Sequence, residues 1–236
     1  EATLPTLGFG LALEDFDGDG DLDIAVANGH ILDDVSRIKD NATFPQPNQV
    51  LVNRLTELQS QHTMANWRPD RDLLTEATLA AGEAMSRARV SRGMAAGDFN
   101  GDGRPDLVVT NSNGPAELLR NDTRDTANRL VLRLTGRESD RDAVGARLLV
   151  RPVDSEAMWI REVRSASSYA SQHAGDVYVG LGSSPAARVE IVWPSGNEET
   201  IERLEAGRLY VLVEGRGIIA DRLLTPRQIT GAAATR

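Results

Sequence analysis

The sequence lacks several features that mark whole classes of protein. It contains no cysteine, so no disulfide stabilises the fold, and redox chemistry gives no information about its compartment. It has no run of about 18 or more apolar residues, so no membrane-spanning helix is predicted. Aromatic residues make up only 4%, and the three tryptophans lie far apart, so no aromatic platform for sugars is expected. Glycan binding by other means stays open.

The 26 basic residues are outnumbered by 35 acidic ones. The formal net charge is −9 at pH 7, and much of the acidic excess lies in two short segments. A broad basic face of the kind that nucleic acid requires is therefore not expected. The chain has 236 residues, of which 40% are apolar, which is sufficient for a hydrophobic core and fits one or two domains.

Aspartate, by contrast, is concentrated in a nine-residue pattern that occurs twice. Loop 1 is Asp15–Asp23 (DFDGDGDLD), and loop 2 is Asp98–Asp106 (DFNGDGRPD). Oxygen-bearing side chains recur at positions 1, 3, 5 and 9, with glycine at position 6. Calcium loops have this spacing, because alternate residues turn inward and the glycine permits a sharp bend. Position 7 would bind through its backbone carbonyl, which an arginine there does not prevent.

The pattern predicts two Ca²⁺ sites. The predicted metal-site residues are Asp15, Asp17, Asp19, Asp21 and Asp23 in loop 1 and Asp98, Asn100, Asp102, Arg104 and Asp106 in loop 2. Two carboxylates about 4 Å apart repel by roughly 4 kcal/mol at an effective dielectric constant near 20. Loop 1 therefore implies either a bound metal or a solvated, floppy loop, and the second copy favours the metal. Neither loop has the companion residues of phosphoryl transfer, so a structural metal is expected and no catalytic residue is assigned.

The surroundings of both loops exclude an EF-hand. An EF-hand needs a bidentate glutamate at position 12, where this chain has Val26 and Val109. Short apolar runs flank both loops, so each loop is predicted to join two strands. These runs are Gly8–Leu13, Leu22–Ala27, Arg92–Gly97 and Leu107–Thr110.

An insertion at roughly 30–47 follows loop 1 and is predicted to be a surface loop. His30, Asp33 and Asp34 within it could bind a transition metal, but a single nitrogen ligand favours a solvated surface instead.

The order of strand, acidic loop, strand, turn and third strand resembles the FG-GAP/VCBS repeat. The resemblance is close over residues 8–28 and 91–122. It implies blades of an integrin-type β-propeller, each with a calcium loop. Because such a propeller closes with about seven blades, residues 1–122 are expected to be the C-terminal part of a larger propeller.

After a polar linker, residues 128–215 show short strands separated by turn residues, which is typical of a β-sandwich or barrel. The predicted strands are Leu130–Leu134, Ala146–Val150, Trp159–Val163, Val177–Leu181, Val189–Trp193 and Leu209–Val213. Trp193 is expected in the core. The remaining tail, residues 216–236, is expected to dock on a neighbour or to be disordered.

Residues 128–214 resemble the ASPIC/UnbV domain. The resemblance is carried by Ser139–Arg147, Arg161–Val163, Ser168–Gln172, Val179–Gly182 and Trp193–Gly196. Repeats followed by this domain are the usual order in large secreted proteins that resemble cartilage acidic protein. The resemblance implies an extracellular or periplasmic binding or scaffold role and supplies no enzyme activity.

The sequence thus predicts an all-β protein with partial β-propeller-like calcium-loop repeats and a β-sandwich or barrel-like domain. We expect a non-enzymatic, calcium-stabilised module for protein–protein interaction or adhesion, with a protein partner or a larger complex. The alternative is an enzyme or accessory factor whose site lies at Tyr169–Asp176, around His173.

Overall fold

The computed structural model describes residues 6–56, 73–123, 127–166 and 168–227. The chain is nearly all β, with 45% strand and 4% helix, which confirms the predicted fold class. Trp67, the middle of the linker and the end of the tail lie outside the described residues. Within these ranges, no helix has the length and apolar character needed to cross a membrane.

The described residues contain fifteen strands and two short helical turns. The strands are β1 (Gly8–Glu14), β2 (Asp23–Asn28), β3 (Gln49–Asn53), β4 (Leu74–Glu76), β5 (Ser91–Gly97), β6 (Asp106–Asn111), β7 (Glu117–Leu119), β8 (Arg129–Thr135), β9 (Arg147–Pro152), β10 (Trp159–Glu162), β11 (Val177–Gly180), β12 (Ala186–Val192), β13 (Glu198–Glu205), β14 (Arg208–Val213) and β15 (Gly217–Leu223). The turns are a 3₁₀ turn at Val35–Arg37 and the single α-helical turn α1 at Glu83–Ser86.

The acidic loops join neighbouring strands, as predicted. Sheet I has the order β1-β2-β3-β4, and loop 1 connects β1 to β2, whose ends pair at Glu14 and Asp23. Sheet II has the order β5-β6-β7, and loop 2 connects β5 to β6, whose ends pair at Gly97 and Asp106. Both connections are antiparallel, so each loop closes a hairpin. We call sheets I and II the repeat region.

Sheets I and II pack on each other through small side chains. Ala12, Ala25, Met94 and Ala96 are almost fully buried in their shared core. The innermost strands β1 and β5 approach so closely that a Cβ on Gly10 would lie 2.6 Å from the Met94 backbone nitrogen. Only glycine permits this contact, and the two sheets therefore stack like adjacent blades.

The C-terminal region consists of two four-stranded sheets. Sheet III has the order β10-β9-β12-β13, and sheet IV has the order β11-β8-β14-β15, in which β8 and β14 are parallel. Leucine, valine and isoleucine side chains from both sheets form one core, and Trp193, 2% exposed, lies within it as predicted. Burying one leucine, valine or isoleucine side chain stabilises the fold by about 1.5–3 kcal/mol. Together, the four sheets form a β-propeller-like ring.

Two strands of this region were missed by the sequence pattern. Strand β13 lies at the edge of sheet III and carries charged side chains on much of its length, so its apolar alternation is weak. Strand β15 is the edge of sheet IV and most of its residues are exposed. It places the first part of the tail, beyond residue 215, in the sheet.

The insertion after loop 1 lies at the surface. Asp33 and Asp34 are exposed, and the His30 Nδ1 atom accepts a hydrogen bond from the Leu32 N–H at 3.0 Å. Local backbone bonding thus accounts for His30, in agreement with the expected solvated surface.

Candidate metal centre

Loop 1 is folded around the Asp15 side chain. The Oδ1 atom of Asp15 accepts a hydrogen bond from the Gly18 N–H at 2.7 Å, and Oδ2 accepts one from the Gly20 N–H at 3.1 Å. Gly18 and Gly20 have φ values of 86° and 97°, which other residues rarely adopt. Aspartate at position 1 and glycine at positions 4 and 6 therefore set the path of the loop.

Three carboxylates of loop 1 converge. One oxygen from each of Asp15, Asp17 and Asp19 lies within 4.8 Å of the others, and this is the single such group in the described part of the chain. The Oδ2 atom of Asp19 is buried and has no hydrogen-bond partner. An unsatisfied buried polar atom costs about 1–3 kcal/mol, and more when charged, so this oxygen fits a cation ligand.

Glu214 shows how a buried carboxylate is satisfied without a metal. Its Oε2 atom accepts hydrogen bonds from the N–H groups of Arg137, Glu138 and Ser139 at 2.8–2.9 Å. Burial alone would raise the pKa of Glu214, but these bonds and one from the Ser195 hydroxyl hold it well below its usual range. The Asp19 carboxylate has no comparable set of donors.

Electrostatics separate Asp19 further from ordinary aspartates. Burial raises the pKa of Asp19 to about 8, and the neighbouring carboxylates of Asp17 and Asp21 add to the effect. Burial, together with the charge of Asp17, raises the pKa of Asp23 to about 7. Burial also raises the pKa of Asp15. Without a cation, loop 1 therefore holds protons near neutral pH, and a divalent cation would displace them.

The remaining two aspartates of loop 1 accept backbone hydrogen bonds from the end of strand β3 and the residues just after it. Asp21 Oδ2 accepts a hydrogen bond from the Thr56 N–H at 2.6 Å. Asp23 accepts from the Phe16 N–H at 3.0 Å and from the Asn53 N–H at 2.8 Å. The structure thus brings three of the five predicted carboxylates together and gives the other two backbone partners.

Loop 2 repeats this framework. Asp98, like Asp15, accepts hydrogen bonds from the two glycine N–H groups of its loop, Gly101 at 2.6 Å and Gly103 at 2.9 Å. Asp106, like Asp23, accepts from a phenylalanine and an asparagine N–H, those of Phe99 and Asn121. Positions 1 and 9 therefore have the same structural role in both loops.

The two loops differ at positions 3 and 7. The Asp102 Oδ2 atom accepts hydrogen bonds from Asn100 Nδ2 at 2.9 Å and from Arg104 Nη2 at 2.8 Å. The Arg104 Nε atom also donates to the Asn121 carbonyl at 3.1 Å. The calcium prediction for loop 2 uses only the backbone carbonyl of Arg104. The structure adds that its guanidinium places a positive charge on Asp102.

The C-terminal region contacts loop 1 directly, which the sequence did not indicate. The Gly180 N–H donates to Asp15 Oδ2 at 2.6 Å, and the Gly182 N–H donates to the Gly18 carbonyl at 3.2 Å. Arg161 Nη2 donates to the Gly20 carbonyl at 2.6 Å. The family resemblance includes Arg161–Val163 and Val179–Gly182, and it was the only sequence signal that singled out these segments. It did not indicate that they contact loop 1.

His173 of the alternative enzymatic site, and Ser168 just before that site, contact the repeat region. The Ser168 hydroxyl oxygen accepts a hydrogen bond from the Leu11 N–H at 2.6 Å. The His173 Nδ1 atom accepts one from the Ala96 N–H at 3.1 Å, and burial lowers the pKa of His173. Asp176 is engaged in a 2.7 Å ion pair with Arg133. Ser168 and His173 thus attach the C-terminal region to strands β1 and β5.

A cavity of about 160 Å³ lies beside this attachment. Its wall is formed by apolar side chains of β1 and β10, including Leu11, Leu13 and Ile160, and by the charged Glu14 and Arg161. Burial raises the pKa of Glu14 to about 8. The cavity is a product of the contact between the repeat region and the C-terminal region.

Comparison with protein-family models gives two matches. Residues 92–127 match the FG-GAP repeat, and residues 136–219 match the family described as ASPIC and UnbV. The first match covers loop 2, and the second covers Arg161 and Gly180. No curated protein matches the chain.

Proposed function

The chain carries an FG-GAP repeat followed by an ASPIC and UnbV domain, and we propose that it is a non-enzymatic, calcium-stabilised binding or scaffold module. The observation that carries this proposal is the convergence of Asp15, Asp17 and Asp19 around a buried oxygen of Asp19 that has no partner. Three charged carboxylates this close together destabilise the folded state when no cation is bound. A bound cation attracts all three, so they then stabilise it.

Calcium suits the donor set better than a transition metal. Ca²⁺ takes six to eight oxygen ligands in flexible geometry, and loop 1 offers carboxylates at positions 1, 3 and 5 with a carbonyl at position 7. The bound ion would supply charge neutralisation, and the residues of loop 1 would hold it in a cage made by one segment. Two strands of sheet I would thereby be fixed at their ends.

Loop 2 is the weaker of the two proposed sites. Asp98, Asn100 and Asp102 would bind through side-chain oxygens and Arg104 through its carbonyl, but the guanidinium would have to leave Asp102 Oδ2. The Arg104 side chain is 25% exposed and that of Asp102 only 4%, so the pair contributes at least the roughly 1 kcal/mol of an exposed pair. The exchange therefore lowers the calcium affinity of loop 2 without preventing binding.

The repeat family and the proposed calcium sites both support a setting outside the cytoplasm. FG-GAP repeats are typical of extracellular proteins. Calcium loops of moderate affinity also suit extracellular or periplasmic fluid, where calcium is abundant. We therefore propose that the module functions outside the cytoplasm.

We propose that the exposed edge strand β15 binds a protein partner or a neighbouring subunit of a larger assembly. Strand β15 is an edge strand, and its side chains Ile218, Ile219 and Leu223 are 43%, 55% and 61% exposed. Exposed edge strands with apolar side chains pair readily with other chains. This strand offers a contact surface for adhesion or assembly, and a glycan ligand is the less supported choice.

Scanning calorimetry with calcium and with a chelator tests the proposed function. A ligand that binds only the folded state stabilises it by about 2.7 kcal/mol at a hundredfold excess over its dissociation constant. We expect a higher melting temperature with calcium for the natural sequence and for the exposed-surface control Asp33→Asn, and a much smaller increase for Asp19→Asn. Equal melting temperatures with calcium and with chelator would overturn the proposal.

The enzymatic alternative has a separate test. His173 and Ser168 are engaged in contacts with the repeat region, so we assign to Ser168–Ala174 a docking role. Alanine replacement of His173 and Tyr169 should leave any activity of the protein unchanged when the variants stay folded. A selective loss of activity in these variants would reverse the assignment.

A further inference from the structure

We propose that the C-terminal region is part of the loop 1 metal centre, with Gly180 and Arg161 as positioning residues. Calcium binding to loop 1 and docking of the ASPIC/UnbV domain then reinforce each other. The inference rests on the proposed calcium site, and it adds that the site is complete only when the two regions are docked.

Gly180 acts on a predicted calcium ligand. Asp15 is 1% exposed, and its Oδ2 atom accepts the Gly180 N–H at 2.6 Å in addition to the Gly20 N–H. These two bonds use both lone-pair sites of Oδ2, whereas Oδ1, which accepts the Gly18 N–H, keeps acceptor capacity for a cation. The donors on Oδ2 fix the orientation of the carboxylate. A Cβ on Gly180 would lie 2.2 Å from the Gly18 carbonyl oxygen, so only glycine brings β11 this close to loop 1.

Arg161 holds the other side of the loop. Its guanidinium donates to the Gly20 carbonyl at 2.6 Å and lies 3.9 Å from Asp15 Oδ2, with 8% of the side chain exposed. The ring of Trp159, two residues earlier in β10, covers Gly20, where a Cβ would lie 2.1 Å from the ring. Positions 4 and 6 of loop 1 are therefore both in contact with the C-terminal region.

Loop 2 is docked differently. The Asp98 N–H donates to the Tyr178 hydroxyl at 2.9 Å. The carbonyls of Asn100 and Gly101 accept hydrogen bonds from the N–H groups of Arg227 and Thr225 at 2.6 and 2.9 Å. These bonds involve backbone groups of loop 2 and none of its ligand carboxylates. Among the described residues, the C-terminal region therefore donates a hydrogen bond to a predicted ligand carboxylate in loop 1, Asp15, and contacts loop 2 through backbone groups.

Coupling between the two events is reciprocal. Whatever free energy docking contributes to calcium affinity, calcium contributes equally to docking. The Gly180 and Gly182 N–H groups report docking at loop 1, because their hydrogen-bond acceptors are Asp15 and the Gly18 carbonyl. The Thr225 N–H, bonded to Gly101, reports docking at loop 2.

Amide hydrogen exchange with calcium and with chelator tests the coupling. We expect chelation to accelerate exchange at Gly180 and Gly182 by about tenfold, the size of effect that outer-shell contacts have on metal sites. Asp19→Asn should exchange at the fast rate in both conditions, and Thr225 should respond less. If calorimetry detects calcium binding but the exchange at Gly180 and Gly182 is unchanged, the coupling is wrong and the proposed function stands. If no calcium binds, both fall.

A conservative substitution tests the reverse direction. Arg161→Lys keeps the charge beside Asp15 but loses the guanidinium geometry, so calcium affinity should fall by about tenfold. Arg164→Lys is the matched control, because Arg164 is 52% exposed, pairs with Glu162 and makes no bond to loop 1. Equal calcium affinities of the two folded variants would overturn the assignment of Arg161.

Discussion

Loops 1 and 2 have the same backbone framework and different electrostatics. In both, the aspartate at position 1 accepts hydrogen bonds from two glycine N–H groups, and the aspartate at position 9 anchors the loop to the third strand's end. Loop 1 leaves an Asp19 oxygen without a partner, whereas in loop 2 Arg104 neutralises Asp102 and Asn100 donates a hydrogen bond to it. The spacing of the motif therefore sets the shape, and positions 3 and 7 set the demand for a cation.

The two loops also differ in the side chains that pack against their glycines. Loop 1 is covered by the Trp159 ring and the Arg161 guanidinium of a sheet, and loop 2 by Leu224 in the chain after the last strand. A rigid ring in a core cannot move away at low cost, whereas the end of a leucine side chain can. Substitutions at equivalent glycines should therefore have unequal effects.

The largest expected effect is that of Gly20→Ala. Its φ of 97° and the 2.1 Å approach of the Cβ to the Trp159 ring add strain to overpacking, so we expect a loss of about 2–5 kcal/mol in the free energy of unfolding. Gly103→Ala has a φ of 84° but meets the flexible end of Leu224, so about 1–2 kcal/mol is expected. Denaturant unfolding measures both.

Gly114→Ala serves as the control for these two variants. Its backbone has no positive φ, and its Cβ would meet the nearest neighbouring atom at 3.4 Å, an ordinary contact. Equal losses in the free energy of unfolding for Gly20→Ala and Gly103→Ala would show that the C-terminal region packs equally tightly against both loops. The proposed difference in packing between the loops would then be wrong.

A second effect is a pH dependence of the calcium-free protein. Burial raises the pKa of Asp19 to about 8, of Asp23 to about 7 and of Asp106 in loop 2 to about 6. Each is higher than the value of about 3.9 in an unfolded chain, so the folded state holds the extra protons. Their stabilising contribution is full below about pH 4 and is lost as the pH rises, up to pH 6 for loop 2 and pH 8 for loop 1.

Calorimetry in chelator from pH 5 to pH 8 measures this dependence. We expect the melting temperature to fall with rising pH, with Asp19→Asn reducing the fall between pH 6 and pH 8. Calcium should reduce it too, because a cation replaces the protons. A chelated protein whose melting temperature is constant over this range would contradict the account of loop 1.

Much of the framework was predictable from local sequence. The ligand spacing, the flanking strands and the glycines of both loops are properties of segments of about ten residues, and they determined the hairpins correctly. The contacts of Gly180 with Asp15 and of Arg161 with Gly20 join residues far apart in the chain, and no local pattern encodes them. Likewise, the carbonyl role predicted for Arg104 gave no indication of where its guanidinium would lie.

A smaller effect is expected from Arg104→Gln. The guanidinium competes with a cation for Asp102 Oδ2, and its removal should raise the calcium affinity of loop 2 by at least about fivefold, equivalent to about 1 kcal/mol. Arg120→Gln is the matched control, because Arg120 pairs with Asp122 outside the loop. An unchanged affinity in Arg104→Gln would mean that Arg104 is not what distinguishes the two loops.

The most direct test of the unequal loops is a calorimetric titration of calcium into the natural sequence, Asp19→Asn and Asp102→Asn. The account predicts two binding events of different affinity in the natural sequence. Asp19→Asn should abolish the tighter event, and Asp102→Asn should abolish the weaker one. Absence of binding, or loss of the tighter event in Asp102→Asn in place of Asp19→Asn, would contradict it.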